Sequence, residues 1–203
     1  MNISDFRKRE NDVDTLFISR WSPRAMSGEE IDEATLKTLF EAARWAPSSN
    51  NNQPWRFIYA RRNTPHWNAI FNLMNEGNQM WTKNAAVLIV VISKTTFDSG
   101  KPARTHSYDT GAAWVSLALQ GSLKNLVVHG MQGFDYNKAR EVLGVPDDYQ
   151  VEAMIAIGRH GKKENLPDYQ QEREFPSPRK SLAEITMEGR FRPTPDPEQK
   201  AEP

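Results

Sequence analysis

The stretch Ala85 to Ile92 (AAVLIVVI) constrains the fold more than any other part of this chain. It is the longest apolar run, it is rich in β-branched residues, and it does not alternate with polar positions. Continued to Ser93, such a run predicts a strand covered on both faces, and therefore a sheet with layers above and below it. It is also far short of the roughly 18 residues that a membrane-spanning helix needs. The start of the chain, MNISDFRKRENDVD, is charged throughout and lacks the apolar stretch of a secretory signal. Both features lead to the expectation of a cytoplasmic protein that does not enter a membrane.

Around that strand the pattern alternates between helical and extended periods. A first helix is expected over Val13 to Ser19. A second would open at a capping box, Ser27 with Glu30, and run to about Trp45 before Pro47. WRFIYA, Trp55 to Ala60, reads as a strand, and Thr64 to Met80 as a weak helix broken at Gly77. Tyr108 to Val128 is apolar and rich in small residues (Gly111, Ala112, Ala113, Ser116, Ala118, Gly121), so it should be a long helix packed in a core or at a subunit interface. A turn or short strand at His129 to Asp135, a helix over Asn137 to Leu143, a strand over Val151 to Ile157 and a helical turn within Arg179 to Ile185 complete the reading. Helices and about four strands give an α/β (α+β) class. The expected organisation is one domain over 1–185 and a proline-rich tail over 186–203, mobile or wrapped on a partner.

Composition excludes several functions. Lys plus Arg number 26 and so do Asp plus Glu, which argues against a protein whose main business is holding nucleic acid or an anionic membrane, while a local basic patch stays possible. A nucleic-acid module built on Arg61 and Arg62 is disfavoured on the same ground. The absence of cysteine removes disulfides, thiolate metal sites and cysteine nucleophiles. No GxGxxG, GxxxxGK[ST], HExxH or GxSxG occurs, and the four histidines are scattered. No metal site is expected.

Three segments carry chemistry. Arg20, Ser22 and Arg24 alternate, so in extended backbone two guanidinium groups and a hydroxyl point the same way, as a phosphate dianion requires; the same pattern also suits a polar loop. The loop PSSNNNQPW, Pro47 to Trp55, offers hydroxyls and amides without charge, suited to the polar edge of a flavin or to turn formation. In MQGFD, Met131 to Asp135, Gly133 could admit a flat ring and Gln132 could place a polar group at its edge.

In this order, with a small-residue central helix between the last two and an Arg-Lys pair near the C-terminus, the segments resemble the FMN-dependent nitroreductase family over about Val13 to Ile185. The resemblance implies a mixed sheet flanked by helices, an intertwined homodimer, and FMN held at the interface. It further implies hydride passing from NAD(P)H through FMN to a nitroaromatic, quinone or similar small acceptor by a ping-pong mechanism. Arg20, Ser22 and Arg24, with Arg179 or Lys180, match the phosphate and ribityl clamp. Pro47, Ser48, Ser49 and Asn51 match the partner chain's contribution, while Gln53 and Trp55 serve as loop tether and core anchor. Gln132 and Gly133 fall where the family commonly has Glu-Gly beside the ring, so one charge is missing there. His129 is read as a structural histidine, and no side chain is assigned a strictly catalytic role. A dehydrogenase or dehalogenase of the same fold with one specific substrate, or a flavin-holding protein without turnover, is the alternative.

Overall fold

In the computed structural model, which describes residues 3–193, every residue of β2 (Val87–Lys94) but the last is buried. Leu88, Val90 and Ile92 enter one core with Trp81, Ile70 and Met154. Val87, Ile89 and Val91 enter a second core on the opposite face with Leu36, Leu39 and Leu117. The continuous apolar run is therefore the seam between two cores, as its lack of alternation predicts.

Among the described residues the sheet has four strands: β1 (Trp55–Arg61), β2, β3 (Leu126–Met131) and β4 (Tyr149–Arg159), in the order β1-β2-β4-β3. The α/β class holds, with one correction: all three ladders are antiparallel rather than of mixed sense. The helices are α1 (Thr15–Ser19), α2 (Glu33–Arg44), α3 (Trp67–Phe71), α4 (Glu76–Thr82), α5 (His106–Leu123), α6 (Tyr136–Val142), α7 (Asp168–Gln171) and α8 (Leu182–Ile185). None is long and apolar enough to cross a membrane. Residues 194–203, most of the expected tail, lie outside the described residues.

Local chemistry explains where the boundaries moved. The second helix opens at Asp32, whose side chain accepts from the Thr35 backbone N–H at 2.7 Å. Ser27 caps only a turn, accepting from the Glu29 N–H at 3.1 Å, and Gly28 at φ +85° interrupts any helix there. The expected helix from Thr64 is two, parted where Asn75 caps α4, and Gly77 lies inside α4. The long helix stops at Leu123; Asn125, at φ +54°, reverses the chain so that Val127 and Val128 join β3. One face of α5 packs on the sheet, with Gly121 leaving room for the Val128 side chain, whereas Tyr108, Val115 and Leu123 remain exposed.

The segment 20–27 joins the sheet beyond β4. Ser27 N–H donates to the Arg159 carbonyl at 3.0 Å and Gly161 N–H to the Ala25 carbonyl at 2.9 Å. A Cβ at Gly161 would stand 2.5 Å from the Met26 carbonyl carbon and oxygen, which are backbone and cannot swing aside. Gly161→Ala is expected to cost about 1–3 kcal/mol by overpacking, read as a fall of several degrees in Tm by calorimetry; an unchanged Tm would mean that the backbone yields freely.

Candidate cofactor site

Arg20 caps the end of α1, its N–H donating to the Leu16 carbonyl at 3.1 Å. Arg20 itself is extended, at φ −67° and ψ 117°. The buried Glu174 fixes the chain beyond it: Oε1 accepts from the Arg24 and Ala25 N–H groups, each at 2.8 Å, and Oε2 from the Arg24 N–H at 3.1 Å. This carboxylate, 150 residues away in sequence, brings the C-terminal segment against the clamp.

The result is a cavity of about 360 Å³ lined by Arg7, Arg20, Ser22, Arg24, His129, Arg173 and Arg179, with Trp21, Phe175 and Ser177. Five arginines line it and no carboxylate does. Among the described residues none of the five forms an ion pair. Their crowding is visible in their acidities. Burial, then the charge of Arg179, lowers the Arg20 pKa; burial, Arg179 and Arg20 lower that of Arg7. Arg7 already donates to the Ile18, Arg20 and Ser177 carbonyls at 2.7, 2.8 and 3.0 Å, so it serves as a tie. Among the described residues the Arg20 side chain donates only to Ser22 Oγ, at 3.3 Å. Like charges held together without a counter-charge are stabilised by a multiply charged anion, and guanidinium forks match phosphate oxygens.

The structure thus brings Arg20, Ser22, Arg24 and Arg179 together. Lys180 lines two neighbouring cavities, as Arg179 also does, but not this one. Pro47, Ser48, Ser49 and Asn51 do not line the arginine cavity. Their loop is held by Ser49 N–H to Asp109 Oδ2 at 3.0 Å and Gln53 N–H to Ser48 Oγ at 3.0 Å, with Asn50, Asn51 and Gln53 at positive φ. Trp55 is buried in the second core and Gln53 Nε2 donates to the Asn51 carbonyl at 3.1 Å, so anchor and tether stand as read. At Gly133 the side-chain amides of Asn75 and Asn78 each stand 2.6 Å from where a Cβ would be, so only glycine fits there. Gln132 lines a second cavity, of about 430 Å³, with Gly130 and Met131 of β3. His129 and its neighbour Gly130, both in β3, line the first and the second cavity respectively, so one strand walls both.

His129 packs on Trp81 with ring centroids 4.5 Å apart, and its Nδ1 lies 2.9 Å from the Pro23 carbonyl. Burial, reinforced by Arg24 and Arg20, pushes its pKa down to about 4 despite that hydrogen bond. The folded value is below the unfolded one, so neutral His129 stabilises fully above about pH 6.5 and this contribution is lost as pH falls toward 4. The swing is at most about 3 kcal/mol. His129→Phe should flatten the fall of Tm between pH 6.5 and 4; curves of equal slope would deny the residue this role.

Arg7, Arg173 and Glu174 have no signal in the sequence, because each acts only through contacts between distant segments. The same holds for a half-buried group in which Ser93 Oγ lies 2.7 Å from His106 Nδ1 and also donates to Glu152 Oε1, with Ser107 Oγ donating to that oxygen at 2.7 Å.

Comparison with known proteins agrees with this geometry. A model described as Nitroreductase family matches residues 18–66, which hold the clamp and the SSNNNQ loop. A crystal structure of an oxidoreductase containing FMN is 47% identical, with a TM-score of 0.89, covering 93% of this chain and 97% of that one. The chain belongs to the nitroreductase family. A Desulfovibrio desulfuricans protein solved in complex with FMN resembles this nitroreductase-family chain at 25% identity and a TM-score of 0.69, covering 91% of this chain and all (100%) of that one. The NADH dehydrogenase of Thermus thermophilus is 25% identical over 210 residues, 87% of this chain and 95% of its own length.

Proposed function

We propose that this chain is an FMN-dependent oxidoreductase that takes electrons from NAD(P)H and delivers them to a second small acceptor, such as a quinone or nitroaromatic. The observation that carries the reading is the cavity of five arginines and no carboxylate. Its donor set fits the phosphate of FMN, the cofactor found with two of the similar structures. Bound FMN would supply reversible two-electron chemistry.

In this reading Arg20, Arg24 and Arg179 hold the phosphate, with Ser22 Oγ beside them. Arg7 and Glu174 keep the three segments in register. Neutral His129 adds no charge to the clamp and fills the wall behind it. The exposed apolar residues of α5 and the loop of Pro47, Ser48, Ser49 and Asn51 serve a homodimer in which each site draws on both chains. The domain expected over 1–185 supplies all of these parts.

The first test is the absorption spectrum of the purified protein. A flavin spectrum near one FMN per chain is expected; a colourless protein that takes up no added FMN would overturn the reading. Steady-state rates with NAD(P)H and a quinone both varied should then give parallel double-reciprocal lines, because the two substrates use one cavity in turn. Intersecting lines would point to a ternary complex instead.

A further inference from the structure

The loop between α2 and β1 is held in a conformation that a free loop would avoid. Of the five non-glycine residues at positive φ among the described residues, three fall within four consecutive positions: Asn50 at +50°, Asn51 at +54° and Gln53 at +46°. Asparagine tolerates that region, but glutamine has no such preference. The side chains of Asn50, Asn51 and Asn52 make no hydrogen bond among the described residues; the first two are exposed, and Asn52 Nδ2 is buried. Strained backbone persists only where its surroundings impose it, and it gathers at ligand sites.

The residue that imposes it is Asp109, in the first turn of α5. Its carboxylate is 5% exposed and forms no ion pair among the described residues. Oδ2 accepts instead from the Ser49 backbone N–H at 3.0 Å and from Thr105 Oγ1 at 3.1 Å, near the positive end of the helix dipole. A buried carboxylate without a cation is costly to keep. It offers what an amide does not: it only accepts, so no rotation can turn a donor toward the Ser49 N–H. The far end of the loop is closed by Ser48 Oγ, which accepts from the Gln53 N–H, and by Trp55 in the second core. Fixed at both ends on the protein, the loop keeps its shape without a ligand.

We infer that Asp109 is a positioning residue for the flavin: acting through Ser49, it holds the loop in its left-handed form before the cofactor arrives, with the amides of Asn50, Asn51 and Asn52 left for the polar edge of the ring. This rests on the function proposed above and adds to it the residue that sets the loop. A loop that takes the competent form only part of the time weakens binding by that fraction. Losing Asp109 should therefore weaken the hold on the ring and spare the hold on the phosphate.

The test compares wild type, Asp109→Ala and Asp109→Asn as full-length chains freed of cofactor. The ligands are FMN, riboflavin and inorganic phosphate, and hydrogen exchange at the Ser49 N–H is a readout that needs no ligand. Asp109→Ala should weaken FMN and riboflavin alike by about tenfold, the factor that one bond to a charged group supplies. Inorganic phosphate should stay within about twofold, because its guanidinium partners are untouched. The Ser49 N–H should exchange about tenfold faster in Asp109→Ala, in step with the opening of the loop. Asp109→Asn, whose Oδ1 can still accept from Ser49, should return flavin affinity to within about threefold of wild type. Unchanged flavin affinity in Asp109→Ala, or an asparagine variant no better than the alanine one, would overturn the assignment. So would phosphate affinity falling in step with flavin affinity, which would make Asp109 a general prop of the fold. A wild type that binds neither flavin, with Ser49 exchange still faster in Asp109→Ala, would overturn the proposed function and leave the hold of Asp109 on the loop standing.

Discussion

Arg24→Ala is expected to weaken FMN binding by about tenfold or more while leaving riboflavin, which lacks the phosphate, within about twofold. A charge-assisted bond is worth about 1.5–3 kcal/mol, and each 1.4 kcal/mol is a factor of ten. The substitution is well suited to the question. Among the described residues the Arg24 side chain has no protein partner, and the backbone bonds to Glu174 survive the change. The cavity therefore loses one cation and keeps its frame. Titration of both ligands against both proteins decides the matter: an equal loss for FMN and riboflavin would make the arginine structural.

The second large effect concerns two chains acting on one site. Within one chain the loop of Ser48, Ser49 and Asn51 does not line the arginine cavity, so on the proposed reading it completes the cavity of the other subunit. Arg24→Ala alone, and Ser49→Ala with Asn51→Gly, should each fail to retain FMN. Glycine is chosen at 51 because φ is +54° there, and alanine would add strain unrelated to the cofactor. Refolding the two variants together and isolating the heterodimer with two tags places both defects in one site and none in the other. Half the wild-type FMN and about half the activity should return. A heterodimer without recovered flavin would refute the shared site, even in a protein proven to be a flavoenzyme.

The sequence was readable where one local cause decides the structure. β2 is evident because burial on both faces removes alternation. Arg20, Ser22 and Arg24 are evident because two-residue spacing in extended backbone is itself geometry. It misled where two local signals compete. Ser27 with Glu30 looks like a helix start, but Asp32 beside Thr35 caps better, and Gly28 prefers a turn. Valines after Asn125 extend an apolar run that a helix could use; the left-handed Asn125 hands them to β3. Convergence over long separations left no trace. Nothing in the neighbourhood of Glu174 announces that it will hold the backbone of Arg24, and Ser93, His106 and Glu152 meet only because β2, α5 and β4 do.

The ties among residues 7, 20–25 and 173–179 join segments far apart in sequence. The strands of the sheet end at Arg159, whereas the arginine cavity also needs Arg173 and Arg179. Ligand bound there would tie residues 7–24 to residues 173–179, so its loss should open these segments to proteases well before the strands come apart.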